Sequence, residues 1–217
     1  MPLAELRGET VAFAGQPVLC GIDLVVQAGE RLAIMGRSGA GKSTLLNRLY
    51  ALLAEQAALV PQAAALVGPL SVFHNVYMGR LDRHSAWRNL VTLAWPARAE
   101  VDAVRDVLRS VGMEDKLFAR AGTLSGGQQQ RVSVARALFN GRPVVIGDEP
   151  VSALDRQQGA AVMQRMAAAH GTMILALHDI PLALEHMDRI VMLKAGRVAL
   201  DAPARSLHSG DLARFYD

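Results

Sequence analysis

Leu32-Ala33-Ile34-Met35-Gly36-Arg37-Ser38-Gly39-Ala40-Gly41-Lys42-Ser43-Thr44-Leu45-Leu46 joins a short apolar run, a glycine-rich turn and the start of a leucine-periodic segment. Leu45, Leu46, Leu49, Leu52 and Leu53 recur at helical spacing, so the stretch reads as strand, loop and helix in succession. Glycines in such a turn let backbone N–H groups converge into a concave nest at a helix N-terminus, where phosphate oxygens bind. Gly36 to Thr44 fits the phosphate-binding loop pattern, in which Lys42 reaches the β and γ phosphates and the Ser43 hydroxyl ligates Mg²⁺. A nucleoside triphosphate is the expected ligand.

Upstream, Ile22, Leu24 and Val26 alternate with Gly21, Asp23 and Val25, which predicts a strand before the turn at Ala28-Gly29-Glu30. Downstream, the pattern is mostly helical from Leu70 to about Lys116, with Val101, Val104, Val107, Leu108 and Val111 on one amphipathic face. Val144-Val145-Ile146 and Met173-Ile174-Leu175-Ala176-Leu177 then bracket a helix near 158–169, a βαβ pattern that implies a parallel sheet. Ile190 to Leu193 and Arg197 to Leu200 flank Lys194-Ala195-Gly196 as a hairpin. The chain reads as one α/β domain over 1–217 with a helical insertion at about 70–140.

With 217 residues, 51% hydrophobic and 20% charged, the chain has enough apolar surface for a sizeable core. The formal charge of +3 is a mild excess without a basic stripe, so nucleic acid is not an expected partner. Cys20 is the only cysteine, which excludes an intramolecular disulfide and a cysteine-based metal site and suits a reducing compartment. The histidines at 170, 178 and 186 are evenly spaced, but helix, strand and helix separate them, which disfavours a shared metal. No 18-residue apolar run and no leader-like start are visible, so a soluble chain that meets a membrane through a partner is expected.

Asp148 and Glu149 follow Val144-Val145-Ile146-Gly147, placing two carboxylates at the carboxyl edge of a buried strand, where ligands bind in open parallel sheets. Asp148 is placed to hold Mg²⁺ through water, and Glu149 is a candidate general base toward the attacking water. A solvated acidic pair is the plainer alternative. Leu124-Ser125-Gly126-Gly127-Gln128 opens another predicted helix and offers a second anion nest.

Together these segments resemble the ATP-binding cassette ATPases, the nucleotide-binding subunits of ABC transporters, over essentially the whole chain. Leu124-Ser125-Gly126-Gly127-Gln128 matches the family's signature motif. The resemblance implies a RecA-like P-loop NTPase core with a mainly parallel sheet, an antiparallel β subdomain and a helical subdomain carrying the signature. It implies head-to-tail pairing with a second cassette, in which the signature residues Ser125, Gly126, Gly127 and Gln128 cap the ATP held by the partner's loop. Gln62 matches the Q-loop glutamine that contacts Mg²⁺ and the attacking water. Ser152-Ala153-Leu154-Asp155 matches the interface D-loop, and His178 resembles the switch histidine that contacts the γ-phosphate. Alone, a histidine at a strand end is more often structural. Phe13 stands where the family places a ring that stacks on adenine, although a core role fits an aromatic between Ala12 and Ala14 equally well.

One departure stands out. Only twenty positions separate Lys42 from Gln62, where family members usually carry a strand-rich excursion of several tens of residues. The antiparallel subdomain is therefore expected to be reduced, with the helix after the loop running through the alanine-rich stretch 51–65 almost directly into the Q-loop strand. The segments Leu70 to Leu81, His84 to Arg88, Glu149 to Asp155 and Leu177 to Glu185 look like the phosphonate importer ATPases. That likeness implies ATP hydrolysis with Mg²⁺, coupled to uptake of a small anionic solute. It also implies transmembrane permease subunits, a solute-binding protein and a peripheral position at the cytoplasmic face of the membrane. Another transported solute, a soluble non-transport ATPase of the same type and a weakly hydrolysing regulatory subunit are the alternatives.

Overall fold

The computed structural model describes residues 2–216; Met1 and Asp217, which the one-domain reading of 1–217 takes in, lie outside the described residues. The chain begins with two long strands, β1 (Pro2–Phe13) and β2 (Gln16–Gln27), paired antiparallel as a two-stranded sheet. Then follow β3 (Arg31–Met35), α1 (Lys42–Leu53) and β4 (Ala57–Val60). A helical segment comprises α2 (Val72–Tyr77), α3 (Ala86–Ala94), α4 (Arg98–Ser110) and α5 (Gly126–Asn140). The rest alternates: β5 (Val144–Asp148), α6 (Arg156–Ala169), β6 (Thr172–Ala176), α7 (Ile180–His186), β7 (Arg189–Lys194), β8 (Arg197–Pro203) and α8 (Ser209–Ala213).

The main sheet has the order β4-β5-β6-β3-β7-β8, parallel except for the antiparallel β7–β8 pair. Its central strands are buried on both faces, which is why they read as continuous apolar runs. Period-two alternation still sorts them. Leu32 and Ile34, Val144 and Ile146, Ile174 and Ala176, and Val191 and Leu193 face a core shared with α1 and the β1–β2 pair. Ala33 and Met35, Val145, Met173 and Leu175, and Ile190 and Met192 face the core built with α2, α4, α5, α6 and α7.

The short connection behaves as its composition predicts. Helix α1 ends at Leu53 and β4 starts at Ala57, leaving three residues between them. The antiparallel subdomain is reduced to β1 and β2, pinned to α1 where Arg48 meets Glu9 at 2.6 Å. Residues 70–140 hold α2 to α5; Phe73 stacks on Tyr77 within α2, and Tyr77 and Arg80 tie that segment to the Phe139 ring of α5, Arg80 at 4.1 Å. Cys20 is only partly buried, between buried Leu19 and exposed Gly21 on β2. Among the described residues no helix is long and apolar enough to cross a membrane.

Candidate functional site

The register row through Asp148, Ala176 and Ile34 organises the site. Val60 pairs with Gly147, Asp148 with Ala176, and Ala176 with Ile34, so β4, β5, β6 and β3 end side by side. Gln62, Asp148, Glu149, His178 and Gly36 all lie within two residues of that row. The parallel topology therefore gathers at one sheet edge four segments that are far apart in sequence.

The glycine loop crosses from β3 to α1. Gly36 is buried with φ +142°, and a Cβ there would stand 2.3 Å from the Leu193 carbonyl oxygen, so only glycine fits. Arg37, Ser38 and Gly39 form the exposed rim, and the Ala40 N–H closes the turn onto Arg37 O at 3.1 Å. Gly41 is the N-cap of α1 and supplies no side-chain cap, which leaves the first-turn amides open to an anion. Lys42 is buried, its Nζ donating to Gly36 O at 2.9 Å and Arg37 O at 3.2 Å. Burial pulls its pKa down, and the charges of Glu149 and Asp148 act in the opposite direction. Ser43 is exposed at the head of α1 beside a half-buried Thr44.

Glu149 adopts φ +54°, a left-handed conformation uncommon for a glutamate. Its neighbours over-determine it. Its N–H donates to Ala176 O, and its carbonyl accepts from Ser152 N, Ser152 Oγ and Gln130 Nε2. The side chain reaches back to His178, whose Nε2 donates to Glu149 Oε1 at 2.5 Å. The structure thus joins two residues that the sequence proposed separately.

Gln62 is exposed just beyond β4. The segment after it is held by Arg136 of α5, whose guanidinium donates to Ala64 O at 3.1 Å and Ala65 O at 2.9 Å. Among the described residues Arg136 meets no carboxylate, and burial lowers its pKa. The sequence reading did not single it out; an arginine within the apolar pattern of a signature helix was the available signal.

Ser125 caps α5 in a reciprocal box: its Oγ accepts from Gln128 N, while Gln128 Oε1 accepts from Ser125 N. Ser125 and Gly126 are exposed. Gly127 packs so closely on the D-loop that a Cβ would lie 2.8 Å from Ala153 O. Asp155 is exposed and caps α6 by accepting from Gln158 N at 2.8 Å. Phe13, at the tip of the β1–β2 hairpin, is 61% exposed, which removes the core alternative for its ring. His170 is buried under α6, whereas His178 stands at the sheet edge; among the described residues no group of three His, Cys, Asp or Glu is placed to hold a metal.

Residues 19–152 match the sequence family described as ABC transporter. The chain is 40% identical to a phosphonates import ATP-binding protein, PhnC, of Pseudomonas entomophila, across 86% of this chain and 81% of that protein. A protein of the same description from Anaeromyxobacter dehalogenans is 36% identical across the whole chain, which spans only 48% of it. That alignment runs over 250 positions against the 217 residues here, so the relative carries a stretch that this chain lacks. In three dimensions the chain resembles a dimeric ATP-binding cassette solved in a post-hydrolysis state with ADP and Pi, with a TM-score of 0.80 and 26% identity over 94% of this chain and 99% of that one.

Proposed function

This chain belongs to the ABC transporter family, and on that premise we propose that it is the ATP-hydrolysing subunit of an importer for a small anionic solute, phosphonate first. The observation that carries the catalytic part is that Gln62, Asp148, Glu149 and His178 all lie within two residues of one register row at the sheet edge, beside Gly36, whose carbonyl holds Lys42. The cargo rests on the named activity of its relatives, since the site itself contacts nucleotide and not solute.

In this reading the amides of residues 36–44 cradle the phosphates and Lys42 exchanges its loop carbonyls for β and γ phosphate oxygens. Glu149 Oε1 accepts the proton of a water as its oxygen attacks the γ-phosphorus, and the bond to the bridging oxygen of ADP breaks. His178, already at Glu149, aligns the carboxylate and contacts the γ-phosphate. The Ser43 hydroxyl, the Asp148 carboxylate and the Gln62 amide form a hard oxygen donor set that suits Mg²⁺. When bound, that ion neutralises phosphate charge. Exposed Ser125 and Gly126, with half-buried Gly127 and Gln128 behind them, present a surface of this protomer as one that completes a partner's site would, and exposed Asp155 belongs to the D-loop on which Gly127 packs. The exposed Phe13 ring is free to stack on adenine.

A second copy, permease subunits and a solute-binding protein complete the proposed complex, which holds this chain at the cytoplasmic membrane face. The helical segment offers a seat for the permease: exposed Leu90 and Leu93 line a groove of about 430 Å³ with Leu70, His74 and Tyr77, and α3 and its C-cap also expose Trp87 and Trp95. Glu149→Gln should retain ATP binding and form nucleotide-dependent dimers while hydrolysis falls about 10²- to 10⁴-fold, the usual yield of one general base. Wild-type turnover in that variant, measured as phosphate release, refutes the role of Glu149. Phosphonate uptake in cells with and without this subunit tests the cargo.

A further inference from the structure

Tyr216 lies in the turn after α8, outside every motif described above. Leu212, fully buried, anchors that helix, and the turn closes by Phe215 N–H to Leu212 O at 3.0 Å and Tyr216 N–H to Ala213 O at 2.8 Å. Phe215 and Tyr216 pack partly buried against the core beneath β7 and α7. From there the Tyr216 hydroxyl reaches the glycine loop, and the Gly36 N–H donates to it at 3.4 Å. Gly36 is thereby gripped from three sides: Tyr216 takes its N–H, Lys42 Nζ donates to its carbonyl at 2.9 Å, and Leu193 O closes off its α-carbon.

We propose that Tyr216 is a positioning residue of the nucleotide site: its hydroxyl fixes Gly36, and through Gly36 it sets the ammonium of Lys42 before a triphosphate arrives. Burial pushes the pKa of this phenol up, the Gly36 hydrogen bond opposes that shift, and the Glu149 carboxylate adds to it. It acts on the phosphate end of the ligand, through Gly36 and Lys42. The proposal rests on the reading of residues 36–44 as the ATP site.

Full-length Tyr216→Phe, Tyr216→Ala and Lys42→Ala, with wild type, are compared by ATP titration, steady-state ATPase kinetics and thermal melting. Tyr216→Phe keeps the ring and removes one hydrogen bond to an N–H, so KM and Kd for ATP should rise about three- to tenfold, with kcat within about twofold. Its melting temperature should match wild type. If Tyr216→Phe equals wild type in KM and Kd while Tyr216→Ala is impaired, the ring only packs and the proposal is overturned. If Lys42→Ala binds ATP like wild type, the loop is not the nucleotide site, and the underlying reading fails along with the proposal.

Discussion

At the scale of single residues, the backbone of Glu149 carries the clearest sign of constraint. A non-glycine residue at φ +54° costs of order 1 kcal/mol and persists where its surroundings over-determine it. Glu149→Gly should therefore raise unfolding stability by about 1 kcal/mol in urea while abolishing turnover; a stability loss of similar size would mean that the side chain's contact with His178 outweighs the strain. His170 gives a pH signature. Its Nδ1 donates to Arg142 O at 2.7 Å and its buried Nε2 has no partner, so protonation there adds an unpaired N–H, and burial lowers the pKa. The folded form thus binds fewer protons than the unfolded chain. Its contribution is intact above the unfolded histidine value of about 6.5 and is lost as pH falls below it. Melting temperature should drop as pH falls below about 6.5, and less so in His170→Gln. Neither property could be read from sequence, since burial and backbone angle are products of packing.

Elements with a strong period were legible, and those without one were not. β3, the loop and α1 follow directly from the apolar run and the leucine spacing, and β5 and β6 from theirs. β1 escaped because only Ala4 and Leu6 of Pro2–Phe13 are buried, which leaves too little alternation to see. Helix α8 escaped because five residues hold barely one turn. Contacts between elements were equally invisible. Arg136 ties α5 to the segment behind Gln62, so Arg136→Met should cut kcat several-fold while ATP binding stays near wild type, as steady-state kinetics and a binding titration would report. Gly127→Ala drives a Cβ into the Ala153 carbonyl and should cost about 1–3 kcal/mol in urea unfolding, the range for overpacking.

Across the whole molecule, sequence order was enough to foresee a parallel sheet with its chemistry at one edge, because βαβ connections leave few alternatives. It could not supply the pairing of His178 with Glu149, which depends on β5 and β6 being neighbours. Nor could it show that shortening the route from α1 to β4 leaves that edge intact, as the Val60–Gly147 register does. The exposed tryptophans of the helical segment make a prediction for the assembly: Trp87→Gln with Trp95→Gln should leave ATPase of the isolated chain unchanged and abolish co-purification with the permease. The Lys42 ammonium rests on two neutral carbonyl oxygens, and a ligand must replace both; an anionic oxygen adds attraction between opposite charges that a neutral acceptor lacks, so a highly charged polyphosphate succeeds where a nucleoside or an uncharged mimic is turned away.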